Sequence, residues 1–443
     1  VPPPAASAVP RPGRDDFWAR AWAAYERRHP ADPLVIAQAA LCSGIPPSRA
    51  ELREMARLSA RLMPGLAPPD IETAAVLDRH VVTAEAEPGS GERGLRAVLG
   101  RLAVAPLPAA GADLWLVTGY APGAFALVPR VRHGLLDGVG GSALTALVGR
   151  ALAGSPPAAA EPPPGAPPAA AGPEPASVWG ACRAALLLAD LVCGLPPAAR
   201  LAVVPGRGPG ESPLHQWTFL RAAPLRSVMS EAGAGTNDVL LACLAGALGA
   251  WARQRDGRVP RGVRALVPVT LRTDAHGPED GNRFVGARVR LPAGEPDPVR
   301  RLAAVAARMR TVRRSSARPD MERVLRRCPD ALAAWTLRRS LRPRVSSLLT
   351  THVPGPPGGI RVPGWRVDHV VPLSFLPAGH ALAVAFMDYG GEVCVGFTAR
   401  AGLGGVEGLP RWFDAAVREL CAPSRPGGWP GPGGASGPGG SSR

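Results

Sequence analysis

A histidine followed four residues later by an aspartate, His133 and Asp137, is the pair in this sequence best suited by type and spacing to move a proton. The two sit in the stretch 125–141, FALVPRVRHGLLDGVGG. Imidazole titrates close to neutrality, and desolvation disfavours its charged form, so a partly buried His133 would be available as a general base. Side chains alternate along a strand, which puts Phe125, Leu127, Pro129, Val131 and His133 on one side and Ala126, Val128, Arg130 and Arg132 on the other. The histidine therefore points with the apolar set. Asp137 would either accept a hydrogen bond across the turn or pair with a distant arginine, fixing the loop. Gly138, Gly140 and Gly141 would let the backbone turn sharply and approach a ligand closely. Taken by itself, the stretch equally describes a satisfied core histidine ahead of an ordinary strand-to-helix turn.

The elements that must position this pair follow from hydrophobic periodicity. In the first half, helices are expected over 15–28, 47–62, 91–102 and 142–153, and strands over 32–43, 114–118 and 124–131, with another beginning at 77–82. Trp18, Trp22 and Tyr25 recur at helical spacing and read as packing; Ser48 and Glu51 have the capping-box spacing. His80, among charged neighbours, reads as a surface or edge residue. Pro129 inside a strand removes a ladder hydrogen bond and suggests an edge or a bulge. Residues 154–177 are almost wholly alanine, proline and glycine, too poor in large apolar groups to pack.

An apolar helix over 178–195 and a second Pro/Gly break at 205–213 lead into the second half. There, strands are expected at 215–220, 263–270, 284–291 and 346–351, and a hairpin pairs 381–387 with 392–399 across Asp388-Tyr389-Gly390-Gly391. Helices are expected at 224–232, 239–254, 298–314 and on to about 341, and at 409–420. Thr236 or Asn237 would cap the helix that follows, and Asp238 suits its first turn. The organisation expected is α/β: a leader over 1–14, one lobe over 15–153, a flexible crossover over 154–213, a second lobe over 214–422 and a tail over 423–443.

Composition narrows the function classes. All 51 basic residues are arginine, and the formal charge is +16. Such a surface suits nucleic acid, anionic lipid or a phosphorylated cofactor such as coenzyme A. No zinc-finger spacing, helix-turn-helix signature or aromatic-studded basic stripe supports nucleic acid, which is not expected as a partner. The seven cysteines are scattered without a CxxC pair, which speaks for reduced thiols and against a metal site. The opening VPPPAASAVPRPGRDD lacks the pattern of a signal peptide, and the apolar runs at 184–195 and 239–252 are too short or too interrupted to span a bilayer. A soluble or peripherally bound protein is expected, cytoplasmic or on the inner face of a membrane or lipid inclusion.

Seven blocks, in order and at compatible spacing, resemble the bacterial wax ester synthase/diacylglycerol acyltransferase family, relatives of peptide-synthetase condensation domains. They are DLW at 113–115, RHGLLDG at 132–138, TNDVLLA at 236–242, VPVTLR at 267–272, GN at 281–282, THVPGP at 351–356 and PLSFL at 372–376. The resemblance implies two condensation-domain-like lobes, each a mixed sheet with helices, around a tunnel with the histidine motif at their junction. It implies that His133 takes the proton of an alcohol hydroxyl as that oxygen attacks an acyl-CoA thioester, with acyl-CoA as substrate and no further cofactor. The products would be triacylglycerol or a wax ester. Asp137 is then structural, with Arg272 of the other lobe as its expected partner. Gly138 and Asn282 belong to matched blocks and are expected to support the site. Asn237 either orders the junction and supports the oxyanion or is a plain helix cap. Two positions depart from the family: Arg132 stands where its first histidine is usual, and His352 where it has asparagine. These departures keep open a different acceptor, a carrier-protein donor, or a degenerate lipid-binding relative.

Overall fold

Alternating apolar patterns become strands and 3.6-residue patterns become helices over most of the chain. The computed structural model describes residues 17–66, 71, 73–154, 178–202, 211–272, 282–315, 320–321, 324, 328–355 and 359–422. The expected leader, the tail, the alanine–proline stretch beyond Gly154, the break at 205–210 and Gly281 lie outside the described residues. The first half runs α1 (Phe17–Arg28), β1 (Val35–Gly44), α2 (Arg49–Leu62), α3 (Ala74–His80), β2 (Val81–Glu85), α4 (Gly91–Leu102), β3 (Ala112–Thr118), β4 (Ala124–Arg132) and α5 (Gly138–Leu152). The second begins with α6 (Val178–Cys193), β5 (Leu214–Arg221), α7 (Ala222–Ala232), α8 (Thr236–Asp256), β6 (Arg264–Thr270), β7 (Phe284–Arg290) and α9 (Pro298–Arg314). It ends with α10 (Asp330–Ser340), β8 (Leu348–Val353), β9 (Arg361–Val362), β10 (Trp365–Leu373), β11 (Leu382–Tyr389), β12 (Glu392–Ala399) and α11 (Leu409–Cys421).

Two six-stranded mixed sheets result, ordered β2-β3-β4-β1-β10-β9 and β5-β12-β11-β8-β6-β7. Strands β9 and β10 come from the second half of the chain yet extend the first sheet, β10 pairing antiparallel with β1 from Ala37↔Leu373 to Gly44↔Trp365. The halves are thereby locked together. Pro372 on β10 packs its carbonyl so closely on β12 that a side chain at Gly396 would collide with it. The core of the second lobe forms around α8, whose Leu240, Leu241, Leu244, Leu248 and Trp251 are buried against Val384, Phe386, Phe397 and Phe413. Burying each such side chain is worth about 1.5–3 kcal/mol. That burial explains the apolar run at 239–252 as a core helix.

Several expectations are corrected. Residues 74–80 are a helix, not the start of a strand: Val76, Leu77 and His80 share the buried face, while Asp78 turns out to Arg49 and Arg53. His80 is accordingly buried, its Nδ1 2.8 Å from the Ala112 carbonyl. Pro129 lies on an interior strand, in unbroken register between β3 and β1. Its cost is local: the β1 pairing lapses at Gln38 and Ala39, opposite the missing N–H. Helix α5 begins at Gly138 rather than Ser142, and α8 is capped by Gly235 rather than by Thr236 or Asn237. The hairpin strands run on to Tyr389 and turn at Gly390-Gly391, where φ is +59° and +84°.

Candidate active site

His133 is the first residue after β4, and its backbone N–H donates to Leu34 O at 2.8 Å, the last rung of the β1 ladder. The expected alternation holds: Leu127, Pro129, Val131 and His133 all line one cavity of about 950 Å³. The imidazole is 9% exposed, packed on Trp22 (4.6 Å between ring centroids), Phe375 (5.2 Å) and Phe284 (6.0 Å, parallel). Its Nδ1–H donates to the Leu136 carbonyl at 3.2 Å, which leaves Nε2 as the basic nitrogen. Burial pushes the pKa below the ordinary 6.5, opposed by the Leu136 hydrogen bond and the charge of Asp137. The ring is thus neutral near pH 7, as a general base must be.

The loop that carries this ring is clamped from the second lobe. Asp137 caps α5, accepting from Gly140 N at 2.8 Å, and accepts from Arg272 Nη2 at 3.2 Å and Nε at 3.4 Å and from Arg283 N at 3.3 Å. The Asp137–Arg272 pairing expected from the resemblance is therefore present, and both side chains are buried. Asn282 donates through Nδ2 to the carbonyls of His133 (2.8 Å) and Gly134 (3.2 Å). It does not line the cavity, so it acts on the loop rather than on a ligand. The glycines serve close packing in the first turn of α5, not a sharp turn. A side chain at Gly138 would come within 2.5 Å of Val353 Cγ2 on β8, and one at Gly140 would strike Leu136.

The cavity walls come from both sheets. Met55, Leu144, Val148, Ile360 and Trp365 form one apolar arm; Trp18, Leu188, Leu191, Leu337 and Leu341 form another. Polar groups also face it: Thr236, Asn237, Arg313, His352 and Asp388. Asn237 is held there by its neighbour, because the fully buried Asp238 caps Gly235 N at 3.1 Å and binds Arg313 at 2.7 and 2.8 Å. Of the residues singled out from sequence, His133, Asp137, Gly138, Asn237 and Arg272 all border this cavity.

Known proteins resemble this chain in sequence and in fold. Residues 280–416 match the family described as the WS/DGAT C-terminal domain. A protein of Mycobacterium tuberculosis named as a probable diacylglycerol O-acyltransferase is 26% identical over 336 residues, 70% of this chain and 73% of that protein. The wax ester synthase/diacylglycerol acyltransferase of Marinobacter aquaeolei VT8 superposes with a TM-score of 0.61 at 18% identity, covering 91% of this chain and 97% of that one. Residues 280–416 thus carry the WS/DGAT C-terminal domain, and most of the chain resembles diacylglycerol O-acyltransferases. The fold extends further, to the first condensation domain of the CDA synthetase (TM-score 0.60, 19% identity, 95% of this chain and 98% of that one).

In this wax ester synthase/diacylglycerol acyltransferase relative, the two departures from the family pattern have different surroundings. Arg132 turns to Glu26 on α1, 3.6 Å away, and does not line the cavity. His352 does, with Nε2 2.9 Å from Asp388 Oδ2. Sequence reasoning missed the aromatic wall around the base. Trp22, which the helical spacing reads as packing, and Phe375, within the PLSFL block, both pack on the imidazole.

Proposed function

We infer that this protein is an O-acyltransferase that moves a fatty acyl group from acyl-CoA to a lipid alcohol, diacylglycerol or a long-chain alcohol. The observation that carries the reading is His133, neutral, tautomerically fixed, and opening on a large, mostly apolar cavity between two condensation-domain-like sheets. In the proposed step, His133 Nε2 accepts the hydroxyl proton as the alcohol oxygen bonds to the thioester carbonyl carbon. The tetrahedral intermediate then expels the thiolate, which takes the proton back from the imidazolium. Ester and free coenzyme A leave, and His133 is regenerated. The mostly apolar lining suits hydrocarbon substrates, and the chemistry needs no metal.

Asp137 and Arg272 position the base rather than touch the reacting atoms, and Asn237 is our candidate for a polar contact to substrate or oxyanion. Among the described residues no single helix is long and apolar enough to cross a membrane. We propose peripheral attachment to a lipid surface at the cytoplasmic side. The test is CoA release by wild type and His133→Ala against a panel of acyl-CoAs and alcohols, with a carrier-protein thioester as an alternative donor. Loss of general-base assistance should cost about 100- to 10,000-fold. Release no higher than the variant's with every pair would refute the reading.

A further inference from the structure

The outer faces of α6 and α10 carry large apolar side chains that the fold leaves uncovered. Leu186 is 71% exposed, Leu195 just past α6 62%, and Leu332 and Trp335 on α10 45% and 40%. Globular surfaces scatter apolar residues singly, but these four sit on or beside two helices that pack on each other. On α6, exposed Cys182, Ala185, Leu186, Ala189 and Cys193 recur at helical spacing and include no charge. The opposite faces of the same helices, through Leu188, Leu191, Leu337 and Leu341, close one arm of the cavity. The uncovered faces therefore point away from the core in a common direction.

Arginine rims this apolar ground. Arg264 donates to Pro196 O at 3.2 Å, beside the exposed Leu195. The exposed Arg344 accepts Ala198 N on its carbonyl at 2.8 Å, so it stands beside the same loop. On α10 the guanidinium of Arg339 lies 5.6 Å over the Trp335 ring, and Arg342 beyond it is exposed. An apolar centre within a cationic rim is complementary to an anionic lipid layer: hydrocarbon takes the leucines and tryptophan, and headgroup phosphates take the guanidiniums.

We propose that the α6–α10 face docks this protein on an anionic lipid surface, with Leu186, Leu195, Leu332 and Trp335 entering the layer. The proposal deepens the lipid-acyltransferase reading and rests on it for its purpose, since only these two helices would then separate the docked surface from the cavity. Docking itself is measurable without turnover. The purified full chain is floated with vesicles of phosphatidylcholine alone or mixed with phosphatidylglycerol, alongside a Leu186→Glu/Trp335→Glu variant. Wild type should float with the anionic vesicles, release as salt is raised, and stay behind with the neutral ones. The variant should lose about tenfold or more in binding, with CoA release from water-soluble short-chain substrates unchanged. Failure of wild type to float, equal flotation with neutral vesicles, or undiminished binding of the variant would overturn the proposal. So would light scattering that shows wild type as a dimer and the variant as a monomer, since a second copy would then cover the face. CoA release absent in wild type, with flotation as expected, would sink the catalytic reading alone.

Discussion

The pH dependence of turnover tests the base at His133 more sharply than loss of activity does. The imidazole is nearly enclosed by Trp22, Phe375 and Phe284, and burial is the largest influence on it, acting against the charged form. Its pKa therefore lies below the ordinary 6.5. Above that value the base is neutral and competent; protonation at lower pH removes it. At pH 7 more than roughly three quarters of the molecules then carry a neutral ring. The kcat/KM profile for CoA release should be flat through neutrality and fall on a single acid limb whose midpoint lies below 6.5. Asp137 raises this pKa through its charge, so Asp137→Asn should move the limb further to acid while keeping the cap to Gly140 N. His133→Ala should remove the limb together with about 3–5 kcal/mol of barrier lowering. A midpoint above 6.5, or a limb that survives in His133→Ala, would refute the assignment of the base.

Three other outcomes follow from the same contacts. Asp137→Ala loses both the α5 cap and a buried partner of Arg272, and should lower unfolding stability by about 2–5 kcal/mol in denaturant titrations; Asp137→Asn should cost less. His215 and His380, both buried, have pKa values lowered to about 4. A depressed histidine contributes stability that is present above its unfolded pKa and is lost as pH falls through the window from about 6.5 to about 4. Each should cost about 3 kcal/mol across that window, and His380→Gln should flatten the dependence; an unfolding midpoint that does not move between these limits would contradict it. A side chain at Gly355 would overlap the Asp388 carbonyl, whereas one at Gly359 meets open space. Gly355→Ala should therefore lower stability by about 1–3 kcal/mol, seen as a lower thermal midpoint, and disturb the His352–Asp388 contact, while Gly359→Ala should leave both unchanged.

What could be read from the sequence was what local periodicity encodes. Strand β4 alternates cleanly, so the direction of His133 could be deduced from five side chains. The partner of Asp137 could not, because Arg272 is 135 positions away; only the ordered blocks of the family resemblance pointed to it. Strand β10 was missed for a related reason: it completes a sheet made by the opposite end of the chain, and pairing between Ala37 and Leu373 leaves no mark in either neighbourhood. His80 misled because its charged neighbours, Asp78 and Arg79, belong to the outer face of a helix whose inner face it occupies. Glycine is ambiguous in another way. Glycines at 138 and 140 suggest freedom to turn, but both are helical, and the missing side chain serves the approach of α5 to Val353 and Leu136. That packing puts the N-terminus of α5 under Asp137, where Gly140 N–H and the Arg272 guanidinium both donate to its carboxylate.

The surroundings of the two departures also decide where this chain differs chemically from its relatives. Arg132 follows the alternation away from His133 and meets Glu26 outside the cavity, so it makes a structural contact and leaves the cavity wall untouched. His352 instead brings a carboxylate-linked imidazole into the cavity that holds the base. A polar ring in a mostly apolar cavity discriminates among bound substrates by the hydrogen bonds it satisfies or leaves unmet. Any divergence in acceptor choice should therefore follow His352 and Asp388, and should be visible as a change in the ranking of alcohols in His352→Asn rather than in Arg132→His.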